Sequence, residues 1–308
     1  MFVSIVISNY NCGRFIAEAV DSALGQSHRP IEVIVVDDGS TDDSRQVLQP
    51  YADRVRIVTQ ANQGVSGARN EGIRQSRGEL VAFLDADDVW HPDKLAKQVP
   101  LFANPSVGLV YCSIEYVDEQ GRSLGTNTKG LRGGVLRDIA LLRETVVLAG
   151  GSTAVVRKSS FGPAGLFDRE LSTAADWDMW RRIACHDEVD VVREPLMKYR
   201  LRSGSMHRNA RVFEHDMLRG FARMFADPAA AAVHPLRRRA YGKLFLMLSG
   251  SFLEGGQQWK AFAYACRSVA SWPPGLAYIV ALPWRRWRRR LGDRPDEPRI
   301  GGSILEQS

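Results

Sequence analysis

Cysteine is scarce in this sequence: four in 308 residues, Cys12, Cys112, Cys185 and Cys266, no two of them close together. That spacing builds neither a disulfide framework nor a zinc site, so the thiols read as small buried apolar groups in a protein of the reducing cytoplasm. Long apolar runs are also missing. The longest C-terminal candidate, Leu276 to Leu282, falls far short of the roughly 18 residues a spanning helix needs. The chain starts directly on Phe2-Val3-Ser4-Ile5-Val6-Ile7, without the basic flank and long apolar stretch of a secretory signal. Neither common phosphate loop is present. After the first apolar run stands Asn9-Tyr10-Asn11-Cys12-Gly13 rather than Gly-x-Gly-x-x-Gly, and a Gly-Lys-Ser/Thr is absent too.

What is present is a foldable chain: 44% hydrophobic, 25% charged, net charge +6 and pI near 9.3. Five arginines between Arg285 and Arg290, with no acid among them, supply five of those six charges. The basic balance therefore reads as a local feature on a nearly neutral body.

The first 110 residues alternate two periodicities. Ser4–Ser8, Ile31–Val36, Val55–Val58 and Leu80–Leu84 read as strands, with helical stretches between them and another predicted over Asp93–Phe102 after Pro92. Near-continuous apolar strands alternating with helices predict an α/β fold, a mostly parallel sheet covered on both faces. The expected division is a domain over 1–205, with a nucleotide half at 1–110 and an acceptor half at 111–205. A helical appendage over 206–283 and a basic segment with a loose tail over 284–308 follow.

Two acidic turns end two of the strands, where ligands of such sheets bind. Asp37-Asp38-Gly39-Ser40-Thr41-Asp42-Asp43 follows the second, and Ser40 or Thr41 could also cap a helix there. Asp85-Ala86-Asp87-Asp88 follows the fourth. Three carboxylates in four residues call for a compensating cation, and hard oxygens suit Mg²⁺ or Mn²⁺ shared with substrate phosphates. The competing reading is an acidic turn that caps the next helix.

Four runs in order, Val3-Ser4-Ile5-Val6-Ile7-Ser8-Asn9-Tyr10-Asn11, Ile34-Val35-Val36-Asp37-Asp38-Gly39-Ser40-Thr41-Asp42, Asn62-Gln63-Gly64-Val65-Ser66-Gly67-Ala68-Arg69-Asn70 and Phe83-Leu84-Asp85-Ala86-Asp87-Asp88, resemble the family 2 glycosyltransferases of GT-A fold. Weaker similarity continues through Ala175-Asp176-Trp177-Asp178-Met179-Trp180 and Lys198-Tyr199-Arg200. The resemblance implies that Ser8 and Tyr10 line the nucleotide pocket and that Asp38, with Asp37 beside it, binds the base. It places Arg69 near base and diphosphate, Asp85 at the ribose, and Asp87 on a divalent metal, with Asp88 on a metal-bound water or capping the turn. The implied donor is a nucleotide-diphosphate sugar.

Transfer to an acceptor hydroxyl also needs a base, and Asp176 is the candidate. On a helix near Asp176–Ala184 it shares a stripe with Met179, Trp180 and Ile183, whereas Asp178 should point away. A capping box with Thr173 is the alternative for Asp176. Where many relatives carry a His after Tyr-Arg, this chain has Arg202, a diphosphate contact that cannot ligate a metal; His207 lies nearby in sequence.

Trp284-Arg285-Arg286-Trp287-Arg288-Arg289-Arg290 mixes indoles with guanidinium groups, which suits an anionic membrane interface; a solvated helix end and RNA binding are the alternatives, and without a nucleic-acid motif no nucleic-acid partner is expected. The expected protein is an inverting glycosyltransferase of cell-surface polysaccharide or lipid-linked glycan synthesis, cytoplasmic or peripheral at the inner membrane face, with a glycan or lipid-linked acceptor. A sugar-nucleotide hydrolase and a non-catalytic nucleotide-sugar or glycan-binding module are the other readings.

Overall fold

The computed structural model describes residues 1–143, 146–147, 150–202, 210–274 and 276. They divide into two compact units, one of Met1–Val135 with Val146–Ser205, the other of Leu136–Thr145 with Met206–Ser308. The segment 136–145 thus departs from the single break expected near 205.

In the first unit, β1 (Val3–Asn9), α1 (Gly13–Leu24), β2 (Ile31–Asp37), α2 (Ser44–Leu48), β3 (Arg56–Thr59), α3 (Gly64–Gln75) and β4 (Leu80–Asp85) alternate as the periodicity requires. β1 pairs in parallel with β2 and β4, and β2 with β3. Val3, Ile5, Val6 and Ile7 are all buried, because helices or chain cover both faces of β1. The order β3-β2-β1-β4 turns back at β1, so the ends of β1 and β4 lie side by side with Ser8 opposite Asp85. Such a reversal opens a crevice at the strand ends.

Next come β5 (Val89–Trp90), α4 (Lys94–Gln98), β6 (Val107–Val117) and β7 (Ser123–Asn127). Of the helix predicted over Asp93–Phe102, only Lys94–Gln98 is α-helical. Pro100 has no amide hydrogen to donate, and Val99–Ala103 tightens into a 3-10 turn.

In the second unit α5 (Leu136–Ala140) is a single turn. Back in the first, β8 (Val155–Arg157), α6 (Phe161–Ala164), α7 (Ala175–Ile183) and β9 (Glu188–Arg200) complete the sheet. The order extends as β4-β8-β6-β9-β5, with β7 on β6. β8 is antiparallel to both neighbours, and β9 runs parallel to β6 but antiparallel to β5. The sheet is therefore parallel at one side and mixed at the other.

An aromatic cluster seats α7. Phe83 of β4 meets Phe167 edge-on at 5.5 Å and lies 6.4 Å from Trp180 of α7, which meets Phe167 at 6.0 Å. Asp178 does not point away as expected. It is buried, because Arg181 and Arg182, three and four residues on, fold back onto its two oxygens at 2.8 and 2.9 Å. Ala174 rather than Thr173 stands at the N-cap position of α7, with no side-chain cap.

The other helices of the second unit are α8 (Ala210–Met224), α9 (Arg237–Glu254) and α10 (Gln258–Ser271), with a 3-10 segment over Pro228–Leu236 that starts where Asp227 caps Ala229. His207 and Trp284–Arg290 lie outside the described residues.

Two expectations need correction here. Of the thiols only Cys112 is buried; Cys12 and Cys185 are half-buried and Cys266 is exposed on α10. Charge is also segregated more widely than one basic segment: the first unit carries 22 basic against 25 acidic side chains, the second 19 against 10.

Candidate functional site

The site assembles where β1, β2 and β4 end. At the end of β2, the Asp37 carboxylate is fully buried and bound to the turn. Asn9 Nδ2 donates to Oδ1 at 3.1 Å, the Ser40 amide to Oδ1 at 3.3 Å, and Arg45 Nε to Oδ2 at 3.0 Å. Ser40 does not cap a helix: its hydroxyl accepts from Asn9 Nδ2 and the Asn11 amide, and Asp43 takes the cap position of α2. Asp38 is held by Gln60 Nε2 at 2.6 Å and the Gln63 amide at 2.9 Å, both on Oδ1. Tyr10 stands 49% exposed on the loop that follows β1.

Arg69 ties this end of the sheet to α7. It sits within Ser66–Asn70, a stretch of α3 buried at every residue, and is 2% exposed. Its guanidinium donates to Asp85 Oδ1 at 3.0 Å and to Asp176 Oδ1 at 2.6 Å, while Ser8 Oγ donates to Asp85 Oδ1 at 3.0 Å. Burial opposes the Arg69 charge, but Asp176 and Asp85 more than offset that and hold its pKa above the usual guanidinium value. A close backbone approach makes room. A Cβ on Gly151 would lie 2.7 Å from the guanidinium, and one on Gly150, whose φ is +55°, would lie 2.5 Å from Asp176 Oδ2.

The turn after β4 is gripped from β9. The Arg200 amide donates to Asp88 Oδ1 at 3.1 Å, its Nε to the Asp87 carbonyl at 2.9 Å, and its Nη2 to Glu18 at 2.6 Å. Arg202 Nη1 donates to Asp87 Oδ2 at 2.8 Å and to Cys12 Sγ at 3.3 Å. Positive charge is still short. Burial, then the Asp85 charge, push the Asp87 carboxyl up; burial, then Asp87 and Asp85, push Asp88 well above the usual carboxylate range.

A divalent cation suits this donor set. Asp85 and Asp87 offer hard oxygens, and the buried Asp88 Oδ2 has no hydrogen-bond partner. Among the described residues no three Asp, Glu, His or Cys side chains form a ready-made cage. Magnesium sites commonly need only one or two carboxylates when substrate phosphates supply the rest.

Ser8, Arg69, Asp85 and Asp176 thus meet directly, and Asp87 and Arg202 pair beside them. Asp37 and Asp38 form a separate group past β2. Sequence reasoning missed the clamp by Arg200, though the Tyr199-Arg200 pair was its signal. It also missed the Gly150-Gly151 cradle and Ser152, whose hydroxyl accepts from the Asp85 amide at 3.0 Å, because nothing local marks those residues as neighbours of Asp85.

A family model described as glycosyl transferase family 2 matches residues 4–162. The chain is 45% identical over 128 residues to an uncharacterized glycosyltransferase of Nostoc sp., 40% of each protein. It is 37% identical over 126 residues to the putative teichuronic acid biosynthesis glycosyltransferase TuaG of Bacillus subtilis, 40% of this chain and 50% of that one. The chain thus spans about half or less of the length of these relatives. In fold it resembles the mannosyltransferase PcManGT of Pyrobaculum calidifontis, whose structure holds GDP-Man and Mn²⁺, with TM-score 0.62, 22% identity, and coverage of 92% of this chain and 82% of that one. With its sheet reversal, its two acidic turns and a family-model match over more than half its length, this chain belongs to glycosyl transferase family 2.

Proposed function

We propose that this chain is an inverting glycosyltransferase, with Asp176 as the general base. One observation carries the reading: a single buried guanidinium, Arg69, holds both Asp85 at the end of β4 and Asp176 on α7. The acid of the donor end and the candidate base, distant in sequence, are thereby fixed at one place.

Asp38 and Tyr10 would receive the base of a nucleoside-diphosphate sugar, with Asp37 buttressing the turn beneath them, and Ser8 and Asp85 the ribose. Arg69 and Arg202 would meet the diphosphate. Asp87, with Asp85 beside it, would hold a divalent cation, Mg²⁺ or Mn²⁺, whose charge stabilises the departing diphosphate. The Asp176 carboxylate takes the proton of the acceptor hydroxyl as its oxygen bonds to the anomeric carbon. The bond from that carbon to the diphosphate breaks, the nucleoside diphosphate leaves with the electron pair, and the configuration inverts.

The acceptor class is a cell-surface polysaccharide or lipid-linked glycan. The similarity to TuaG supports this, as does the Trp284–Arg290 segment, whose composition suits the inner face of an anionic membrane. No helix among the described residues is long and apolar enough to cross a membrane.

Thermal shift across nucleoside-diphosphate sugars, with and without Mn²⁺, is the first test, and stabilisation by at least one donor is expected. Turnover with that donor should fall at least ~100-fold in Asp176→Asn. Wild-type turnover in that variant removes the base assignment. Release of free sugar without an acceptor makes the chain a hydrolase, and failure of every donor to bind defeats the reading.

A further inference from the structure

Helix α10 is apolar on two opposite sides. Its inner side carries Ala261, Tyr264 and Ser268, all buried against α9. Ser268 Oγ donates to the Gly242 carbonyl and Ser249 Oγ to the Ala261 carbonyl, each at 2.7 Å, and the Tyr264 ring stacks on Phe252 at 5.7 Å. These contacts fix the rotation of the helix, and so decide what its other side presents.

That other side is Trp259, Phe262, Ala263, Cys266 and Ala270, at the i, i+3, i+4, i+7 and i+11 spacing of one stripe. Trp259 is 86% exposed and Phe262 63%, the two most exposed large apolar side chains described. An amphipathic surface helix turns its second face polar; this one does not. Lys260 and Arg267 flank the stripe along one side. Lys260 reaches Glu214 at 3.3 Å, and the Arg267 guanidinium lies 5.2 Å from the Tyr264 ring centroid.

The surrounding charge chooses the occupant. Residues 210–274 carry nine Lys and Arg against four Asp and Glu, and the unit as a whole 19 against 10. A second copy on this face would bring two strongly positive bodies together. A bilayer rich in anionic headgroups accepts the charge and the indole at once, since Trp settles at headgroup level and basic side chains meet lipid phosphate.

We infer that the Trp259–Phe262–Cys266 face of α10 docks on an anionic lipid surface. The inference goes beyond the membrane reading of Trp284–Arg290, because it names a different surface on a folded helix, and it stands or falls separately.

The test is co-sedimentation of the full chain with phosphatidylglycerol-rich vesicles and with pure phosphatidylcholine vesicles. Two variants are compared with wild type: Trp259→Ser with Phe262→Ser, and Ser at Arg285, Arg286, Arg288, Arg289 and Arg290. Both replaced side chains of the first variant are exposed, so its melting temperature should match wild type. Its affinity for the phosphatidylglycerol vesicles should drop at least about tenfold. Wild-type binding by this variant overturns the α10 face; if the arginine variant then fails to bind, the segment reading survives alone. Loss in the α10 variant with binding kept in the arginine variant sustains the face and removes the segment. The inference is also overturned if light scattering shows a wild-type dimer that Trp259→Ser with Phe262→Ser dissociates, or if the chain binds single-stranded RNA and no vesicle.

Discussion

The turn after β2 and the turn after β4 are both acidic, both follow a buried parallel strand, and flank the end of β1, yet they hold their charge by different means. Asp37 and Asp38 are met mainly by neutral donors, the side chains of Asn9 and Gln60 and the amides of Ser40 and Gln63, with one half-exposed arginine, Arg45. Asp85 is met by the Arg69 guanidinium and Asp87 by that of Arg202, whereas Asp88 receives the Arg200 backbone amide, and the carboxyls of Asp87 and Asp88 remain shifted upward. In the first turn neutral donors already meet the carboxylates. The second keeps a demand for positive charge that an incoming divalent cation can meet. Similar residues keep or lose a demand for positive charge according to what the tertiary structure sets opposite them.

The contrast breaks most severely at Arg69. Arg69→Met leaves Asp85 and Asp176 without the cation they share, and urea unfolding should show a loss of about 3–5 kcal/mol. A loss under about 1 kcal/mol would mean that the second turn does not depend on its arginines.

Lys94 sharpens the comparison, since it is a buried cation whose ammonium has no hydrogen-bond partner and lies over the Trp90 ring, 3.9 Å from its centroid. Burial lowers its pKa from 10.5 to about 8. At pH 7 folded and unfolded chains both carry the proton, so the cost of burial is fully present, and Lys94→Met should gain about 2–3 kcal/mol. Between about 8 and 10.5 the unfolded chain binds more protons, so wild-type stability rises with pH there. Cys112, which burial pushes from 9.0 to about 11, works in the opposite direction above 9, so the rise is clearest between pH 8 and 9. Denaturant midpoints across that range should climb for wild type and stay flat for Lys94→Met.

Asp37→Ala tests the neutral turn. It strands the Ser40 amide, and equilibrium unfolding should register a loss of about 2 kcal/mol. An unchanged midpoint would deny Asp37 its structural part.

Asp88→Asn has the smallest expected effect and the opposite sign. Removing the charge that Asp87 and Asp85 oppose should raise stability by about 1 kcal/mol, read as a higher melting temperature. A fall would show that the Asp88 charge is already matched.

The strands and helices of the first half were legible because their periods are local. The apolar run Leu80–Leu84 and the acids after it place a strand and a turn in one reading. Asp178 was misread because its burial depends on Arg181 and Arg182 folding over it, and a helical stripe counts only apolar positions. The 3-10 turn at Val99–Ala103 has its cause in Pro100, a local signal that apolar periodicity alone does not register.

The α/β alternation, the family motifs and the places where carboxylates end strands are written in local sequence, because periodicity and turn chemistry are properties of short segments. Which acids share a cation follows from the folded arrangement instead. Arg69, Asp85, Gly150 and Asp176 come from four separate stretches of chain, and a charge interaction is set by ångströms in space rather than by spacing in sequence.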